Sequence, residues 1–475
     1  MPAKAIPLVD APLAGAIPAG IVMSGDRLLN ARSYLTDGYG LRRRLESLPD
    51  VQRFADVADV WQPPRLKGFT VPDGKGLPFL SAGQVFEARP RARKWLAEKT
   101  IPKLDERWVQ PDWLLLSCSG EVGKVTAVYE HHLHTVITHD LLRIVPSESS
   151  IYGWLYAYMR TPLFVAQAVT AQYGHMIKHL EPEHVQALPV PIPDETQRQD
   201  VESLARRAIT LRRRALELQD SANRRYEQAL NPEGLPTDSP DWGVIAAHEV
   251  FDQRRRFDAQ YYHPSVRAIE ALLRQASQQV QTVKDVVCDV SLGNRFKRFF
   301  GTKGTPYYSA SELFDVNAPV TKRIYAGLLD DAEDYLLHQG WLVMACSGQT
   351  YGLLGRTMIL GTRHEGVFGS HDLIRIHPDE TKIRPGYLAT VLGDEKYGRP
   401  LVVRNAFGTS IPHLDPVDIR TLPVPRFTPD IEAAIADDCE EAFKLFGEAD
   451  RIESAATDKA QQCVQRLLDA NFERI

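Results

Sequence analysis

Five cysteines in 475 residues, none in a Cys-x-x-Cys pair, supply neither a zinc ribbon nor a disulfide framework. No uninterrupted apolar run approaches the roughly 20 residues that a bilayer-spanning helix needs. Ala3–Ile21 is apolar, but Pro7, Pro12 and Pro18 interrupt it, so residues 1–25 read as an irregular N-terminal arm and not as a secretory signal. A reducing cytoplasm is the expected location, with no membrane partner. Positive charge is not in excess either. The 56 Lys and Arg against 61 Asp and Glu leave −5, so any nucleic-acid surface has to be local. Catalytic signatures are missing as well. Gly68–Gly76 holds a Gly-Lys at the wrong spacing for a phosphate-binding loop, and GxSxG, HExxH and an Asn/Asp-Pro-Pro-aromatic tetrad are all absent. The chain reads as one that recognises and does not catalyse.

What is present is a repeat. Pro78, Ser81, Ala82, Trp113, Cys118, Ser119 and Gly120 recur 228 residues on as Pro306, Ser309, Ala310, Trp341, Cys346, Ser347 and Gly348. Upstream, Ala31 and Tyr34 return as Ala259 and Tyr262 at the same offset. Further along, His139-Asp140-Leu141 becomes His371-Asp372-Leu373, and Leu188-Pro189-Val190-Pro191 becomes Leu422-Pro423-Val424-Pro425. A period this long excludes a solenoid and implies two equivalent domains in a soluble α+β chain with 44% hydrophobic and 25% charged residues. An internal duplication of this kind suits a partner with two half-sites, of which duplex DNA is the commonest.

Each copy has one order: a helical lead-in (Leu41–Leu48, Val266–Ala276), a strand-rich stretch punctuated by Gly and Pro (51–190, 280–425), then a long helix. Trp113–Leu116 and Trp341–Met344 are short apolar runs ending in Cys-Ser-Gly, which predicts buried strands. The first helix is expected over 194–230, with Asp194 as N-cap and Gln197 three residues on. Its apolar positions Val201, Leu204, Ala208, Leu211, Ala215, Leu218 and Ala222 alternate by 3 and 4, a heptad seam. Thr428-Pro429 opens the second helix, where Ala442, Leu445, Ala449, Ile452 and Ala456 repeat that spacing. Residues 194–230 carry eight arginines against seven acids, whereas 429–459 carry ten acids against three bases. Opposed charges beside two heptad seams predict that the helices pair, with Leu204, Leu211, Leu218, Leu445 and Ile452 at the contact. Packing of each helix on its own domain is the plainer alternative.

Basic clusters carry the binding prediction. Ten Lys and Arg lie between Trp61 and Gln110, among them Arg65, Lys67, Arg89, Arg91, Arg93 and Lys94, against five acids. In copy two, Asn294, Arg295, Lys297, Arg298 and Lys303 fall in one ten-residue run with interleaved phenylalanines and no acid. Such patches attract phosphates, and their Arg, Asn and Lys side chains can also read base edges. Ser119 and Lys124 in one loop, Ser347, Gln349 and Tyr351 in its counterpart, follow the buried strands, where glycines let backbone amides approach a ligand. A tight hairpin explains those glycines equally well. The shared frame with different side chains favours readers of two different sequences. Lys178, His139, Arg356, His371 and His413 complete the candidate DNA-binding set. Two His-Asp pairs fall short of a closed zinc site, so no metal is expected.

A globular domain ending in Leu-Pro-Val-Pro, a Gln-containing helix start and a long helix, all duplicated, resembles the DNA specificity subunit of Type I restriction-modification systems over nearly all of 26–475. The resemblance implies target-recognition domains at 26–193 and 258–427, a linker at 231–257, and helices 194–230 and 428–475 paired as an antiparallel coiled coil. It implies a non-catalytic chain that reads an asymmetric, bipartite site in double-stranded DNA. Two adenine-N6 methyltransferase subunits would dock on it, and a motor or nuclease subunit is a further implied partner. No cofactor would reside in this chain; S-adenosylmethionine would belong to the methyltransferase. Thr196-Gln197 and Asp430-Ile431 depart from the Glu-Gln that the family places at the helix start. On the residues alone, a protein-only adaptor and a diverged nuclease also stay open.

Overall fold

The computed structural model describes residues 36–172, 179–230, 242–252 and 256–472, with the isolated positions 19, 23 and 34. Lys178, nearly all of the 1–25 arm and much of the 231–257 linker lie outside the described residues. The chain divides into two compact units, 1–213 with 448–475, and 214–447. Each unit therefore takes part of both long helices. Among the described residues no helix is long and apolar enough to cross a membrane.

In the first unit, helix Asp37–Glu46 precedes strand Val51–Arg53, which pairs antiparallel with Pro189–Pro191. One four-stranded antiparallel sheet runs in the order 58–61, 141–146, 114–117, 125–127. The other runs 70–71, 94–96, 77–80, 136–137 and closes on a parallel pair. Helices Tyr152–Met159 and Pro162–Ala171 cover one side. In the second unit, helix Pro264–Ala276, the pair 279–282 with 423–426, the sheet 287–291, 373–378, 342–345, 357–359 and a five-stranded sheet built on 305–308 repeat the plan.

The apolar run at Leu342–Ala345 is a strand buried on both faces. Leu342 and Met344 belong to a core shared with Ala222, Tyr226 and Leu230 of the first long helix and Ile435, Ala436 and Cys439 of the second. Val343 and Ala345 face a different core with Tyr308, Leu337 and Val367. A strand between two apolar layers needs no polar alternation, which is why the pattern is continuous. The prolines of Leu-Pro-Val-Pro are tolerated because each short strand has a single neighbour and lies at an edge. Trp154 Nε1 donates to Pro191 O at 3.1 Å, and Tyr387 OH donates to the equivalent Pro425 O.

The long helices span Glu195–Leu230 and Pro429–Phe472. Asp194 caps the first, accepting from Gln197 N at 3.0 Å. Their pairing is antiparallel within each unit. In the first, Lys459 meets Asp200 at 2.6 Å and Arg212 meets Asp450 at 2.6 Å; in the second, Arg225 meets Asp438 at 2.7 Å. The seam keeps Val201, Ala208, Ala215 and Ala222 of the expected row and takes Ala205 and Arg212 in place of their neighbours Leu204 and Leu211. Val201, Ala205, Ala208, Arg212, Ala215, Ala222 and Tyr226 are buried, while Leu204, Leu211 and Leu218 are half-buried on its flank. In the second helix the row is Ile435, Cys439, Ala442, Ala449, Glu453, Ala456, Ala460 and Cys463. Leu445 lies half-buried beside it, and Ile452 is buried. The pairing and domain-packing alternatives both hold, since one seam serves both.

Two charged residues displace the row. Arg212 and Glu453 are each 1% exposed, and Arg212 donates to Glu453 at 2.7 Å and to Tyr129 OH at 3.2 Å. Arg160 reaches the other Glu453 oxygen at 3.2 Å, and Tyr156 OH donates to the carboxylate too. Burial alone would raise the Glu453 carboxyl, but Arg160 and Arg212 hold it down at about 2. Its folded value lies below its ordinary 4.5, so its contribution is complete above that pH and drains away as pH falls toward 2. Removing one member of a buried pair strands the others without compensation. Glu453→Gln is therefore expected to lose about 3 kcal/mol at pH 7, with a shallower loss of stability between pH 4.5 and 2 than the parent shows. Urea unfolding at several pH values measures both, and equal midpoints at pH 7 would refute the role of the cluster.

Candidate nucleic-acid interface

Four segments meet at equivalent places in each unit. The first is the loop following the edge strand of the antiparallel sheet, 62–69 and 292–299. Next is the His-Asp turn, which leaves the second sheet at Ile137 or Gly369 and enters the first sheet at Leu141 or Leu373. The Ser-Gly loop after the buried strand is third. A short extended piece at His179 or His413 bridges to Ser119 or Ser347 and is fourth. Backbone bonds join the last three of these. Cys118 N donates to Asp140 O at 3.2 Å and Leu180 N to Cys118 O at 2.9 Å; Cys346 N to Asp372 O and Leu414 N to Cys346 O repeat this at 2.9 and 2.8 Å.

Gly120 and Gly348, at φ of 72° and 130°, turn the chain after each serine through the left-handed region that favours glycine. Burial pushes both cysteine thiols up to about 12, so at neutral pH they stay protonated packing groups.

On this common frame the side chains differ. In the first unit Leu66 N donates to His139 Nδ1 at 3.3 Å, Gln62 holds His139 O at 2.6 Å, and Ser119 Oγ pairs with His179 Nδ1 at 3.1 Å. Lys124 reaches Glu121 at 2.9 Å at the loop tip. In the second unit Ser347 donates to Asp372 at 2.9 Å and Ser370 to its other oxygen at 3.1 Å. Arg298 lies 3.5 Å from His371 Nδ1, Phe296 packs edge-on against that ring at 5.7 Å, and Gln349 Nε2 donates to Ser410 O at 3.2 Å. Phe407, 51% exposed, exchanges both backbone bonds with His413.

The structure thus gathers Arg65, Lys67, Ser119 and His139 in one unit, and Asn294, Arg295, Lys297, Arg298, Ser347, Gln349, His371 and His413 in the other. Arg65 and Lys67 are exposed, as are Asn294 through Arg298 apart from Phe296. Tyr351 is 57% exposed on the Ser-Gly loop, and Arg356 closes the base of that loop, its carbonyl accepting from Ala345 N. Arg89, Arg91 and Arg93 sit elsewhere, on the approach to strand 94–96, which Lys94 opens, and Arg93 is ion-paired with the largely buried Glu87. Lys303 stands exposed beside the Gly304 turn. Sequence reasoning singles out Lys178 and misses its neighbour His179, although His179 shares with His413 the 234-residue offset of the Leu-Pro-Val-Pro repeat. Arg107, which the sequence shows only as one of the ten bases between Trp61 and Gln110, and Tyr335, which it does not single out, donate to Pro64 O and Asn294 O and so fix the root of each basic loop. Among the described residues no group of three His, Cys, Asp or Glu is placed to hold a metal ion.

No family model matches the chain, and no curated protein does. Among solved structures it is similar to a Type I restriction-modification system S subunit from M. genitalium, at 11% identity over 89% of this chain and 96% of that one, TM-score 0.33. It is similar as well to a chain from a study of type I R-M complex assembly and conformational transition (12% identity, 89% and 98% covered, TM-score 0.28). The HsdS subunit from Thermoanaerobacter tengcongensis matches at 12% identity, with 88% and 97% covered and a TM-score of 0.27. Superpositions this loose carry no functional assignment.

His371 offers a direct check on the cluster. Burial lowers its pKa, Asp372 opposes this, and Arg298, Arg295 and His413 lower it further. Arg298→Ala removes one of the opposing cations, so the His371 titration followed by NMR is expected to move upward. A shift downward, or none, would contradict the geometry.

Proposed function

We propose that this chain is a non-catalytic DNA-specificity subunit, each unit reading one half of a bipartite, asymmetric site in double-stranded DNA. The observation that carries the reading is the same four-segment site built twice on one frame with different exposed side chains. An exposed basic loop stands over each site, while the chain as a whole is acidic. Phosphate attraction is thereby confined to those loops. The polar groups beside them (Ser119, Glu121 and Lys124 in one unit, Gln349, Ser410 and Tyr351 in the other) have the donor and acceptor chemistry of base-edge readout. Adenine-N6 methylation, with its S-adenosylmethionine, would be carried out by methyltransferase subunits docked on this chain, and a restriction nuclease would be a further partner.

Two measurements test this. Long-read detection of N6-methyladenine in the host, with and without the gene, is expected to show loss at one gapped motif; an unchanged methylome would favour a protein-only adaptor. In titrations of the isolated chain with duplex DNA, Arg295→Ala and Arg298→Ala are each expected to weaken binding and to reduce the salt slope by about 1. Unchanged affinity at matched salt would remove that loop from the interface.

A further inference from the structure

Beneath each His-Asp turn lies an arginine that the binding reading does not use. Arg143 and Arg375 are 0% and 2% exposed, on equivalent strands of the two units. Neither forms an ion pair with a carboxylate among the described residues. Arg143 donates from Nη1 to Leu141 O at 2.6 Å and Thr138 O at 2.9 Å, and from Nη2 to Ile137 O at 3.1 Å. Arg375 donates from Nη1 to Leu373 O at 2.8 Å, and from Nη2 to Tyr335 O at 2.9 Å and Gly369 O at 3.2 Å. One planar fork thus takes carbonyls from both sides of the turn, before the His and after the Asp, in each unit.

The chemistry is costly. Each cation also lies over an aromatic face, Trp61 for Arg143 and Tyr335 for Arg375, yet its Nε finds no hydrogen-bond partner among the described residues and no carboxylate pairs with it, so the lost hydration is only partly replaced. Burial accordingly lowers both guanidinium pKa values, to about 9 and about 10, which still leaves them charged at neutral pH. The strand neighbours Leu141, Leu142 and Ile144 are aliphatic, so apolar packing alone does not call for an arginine. Tolerances are tight: a Cβ on Gly369 would stand 3.0 Å from Arg375 Nη2. The expense recurs in both units, although the exposed contacts above it differ. It therefore serves what the units share, the shape of the turn and positive charge behind it.

We infer that Arg143 and Arg375 are positioning residues for recognition, each fork holding the His-Asp turn of its own unit in the conformation that meets DNA. This rests on the DNA-specificity reading. Lysine is a poor substitute, since its donors do not form a planar fork.

The test uses the full-length chain and selection from a randomised duplex pool, with the recovered motif as readout. The parent is expected to return a gapped motif with two informative halves. Arg375→Met is expected to lose information in one half only and to weaken binding to the parent motif about tenfold. Arg143→Met is expected to lose the other half, so each variant carries its own folding control. A parent that retrieves no motif would overturn the DNA reading and this inference with it. A parent that binds while Arg375→Met and Arg143→Met keep both halves would overturn this inference alone. If a methionine variant loses both halves together, the lysine variant decides: loss confined to one half supports the role, and retention of both refutes it.

Discussion

One carboxylate holds the centre of the first unit. Glu453 answers Arg212 across the helix pair and Arg160 from just past the end of helix Tyr152–Met159, and Tyr156 adds a third donor. An ion pair this deep adds little net stability over an apolar equivalent, because desolvation consumes most of the attraction. What it imposes is selectivity, since either helix placed against a different surface, or slipped in register, would leave a charge buried and unanswered. At the 234-residue offset of the helix junctions, the counterparts of Arg212 and Glu453 are Phe446 and Gln219. The duplication is thus broken at its seam, and the cluster belongs to one unit only.

That break contrasts with how closely the rest is copied. Gly153 and Gly386 both sit where a Cβ would collide with a long-helix backbone carbonyl, Glu202 O or Ala436 O. His132 and His364 both accept a backbone N–H three residues upstream, from Tyr129 and Gly361 at 3.0 and 3.1 Å. Burial drives those rings down to about 4 and about 3, so both are neutral at pH 7. They must acquire charge on acidification, and they therefore add to the loss of stability below their ordinary 6.5. Framework positions repeat because one backbone is being made twice. Contact positions diverge where solvent and ligand, not packing, decide.

The sequence exposed the repeat, the buried strands and the paired helices because each is written in apolar spacing, which burial enforces. It placed Val201, Ala208, Ala215 and Ala222 in the helix seam and missed Ala205 and Arg212 for a physical reason. Arg212 and Glu453 look like surface charges until both are known to be present and opposed, so apolar spacing favours the row through Leu204 and Leu211. The candidate site was half legible. Arg295, Arg298 and His371 stood out by charge or by repetition. Arg107 and Tyr335 did not, since they perform one task, holding the carbonyl at the root of the basic loop, with unrelated side chains. Arg93 erred in the other direction: a basic cluster in the chain does not show which members turn inward, and this one turns to Glu87.

Two ways of burying an arginine therefore coexist in one unit, and their chemistry separates their tasks. Arg212 meets carboxylates, so its charge is neutralised where it stands and projects little field. That suits a residue whose work is to fix which helix lies against which. Arg143 meets carbonyls and the face of Trp61, which stabilise the cation without cancelling it, so its positive charge stays unpaired behind the His-Asp turn. In a low-dielectric interior that charge acts over a longer distance than an exposed lysine, which counterions screen within about 10 Å at 0.1 M salt. In the proposed role, such a group shapes the turn from beneath before any ligand arrives. Exposed arginines above it can then differ between the units, as the proposed reading of two half-sites requires, while the buried arginine is kept in both.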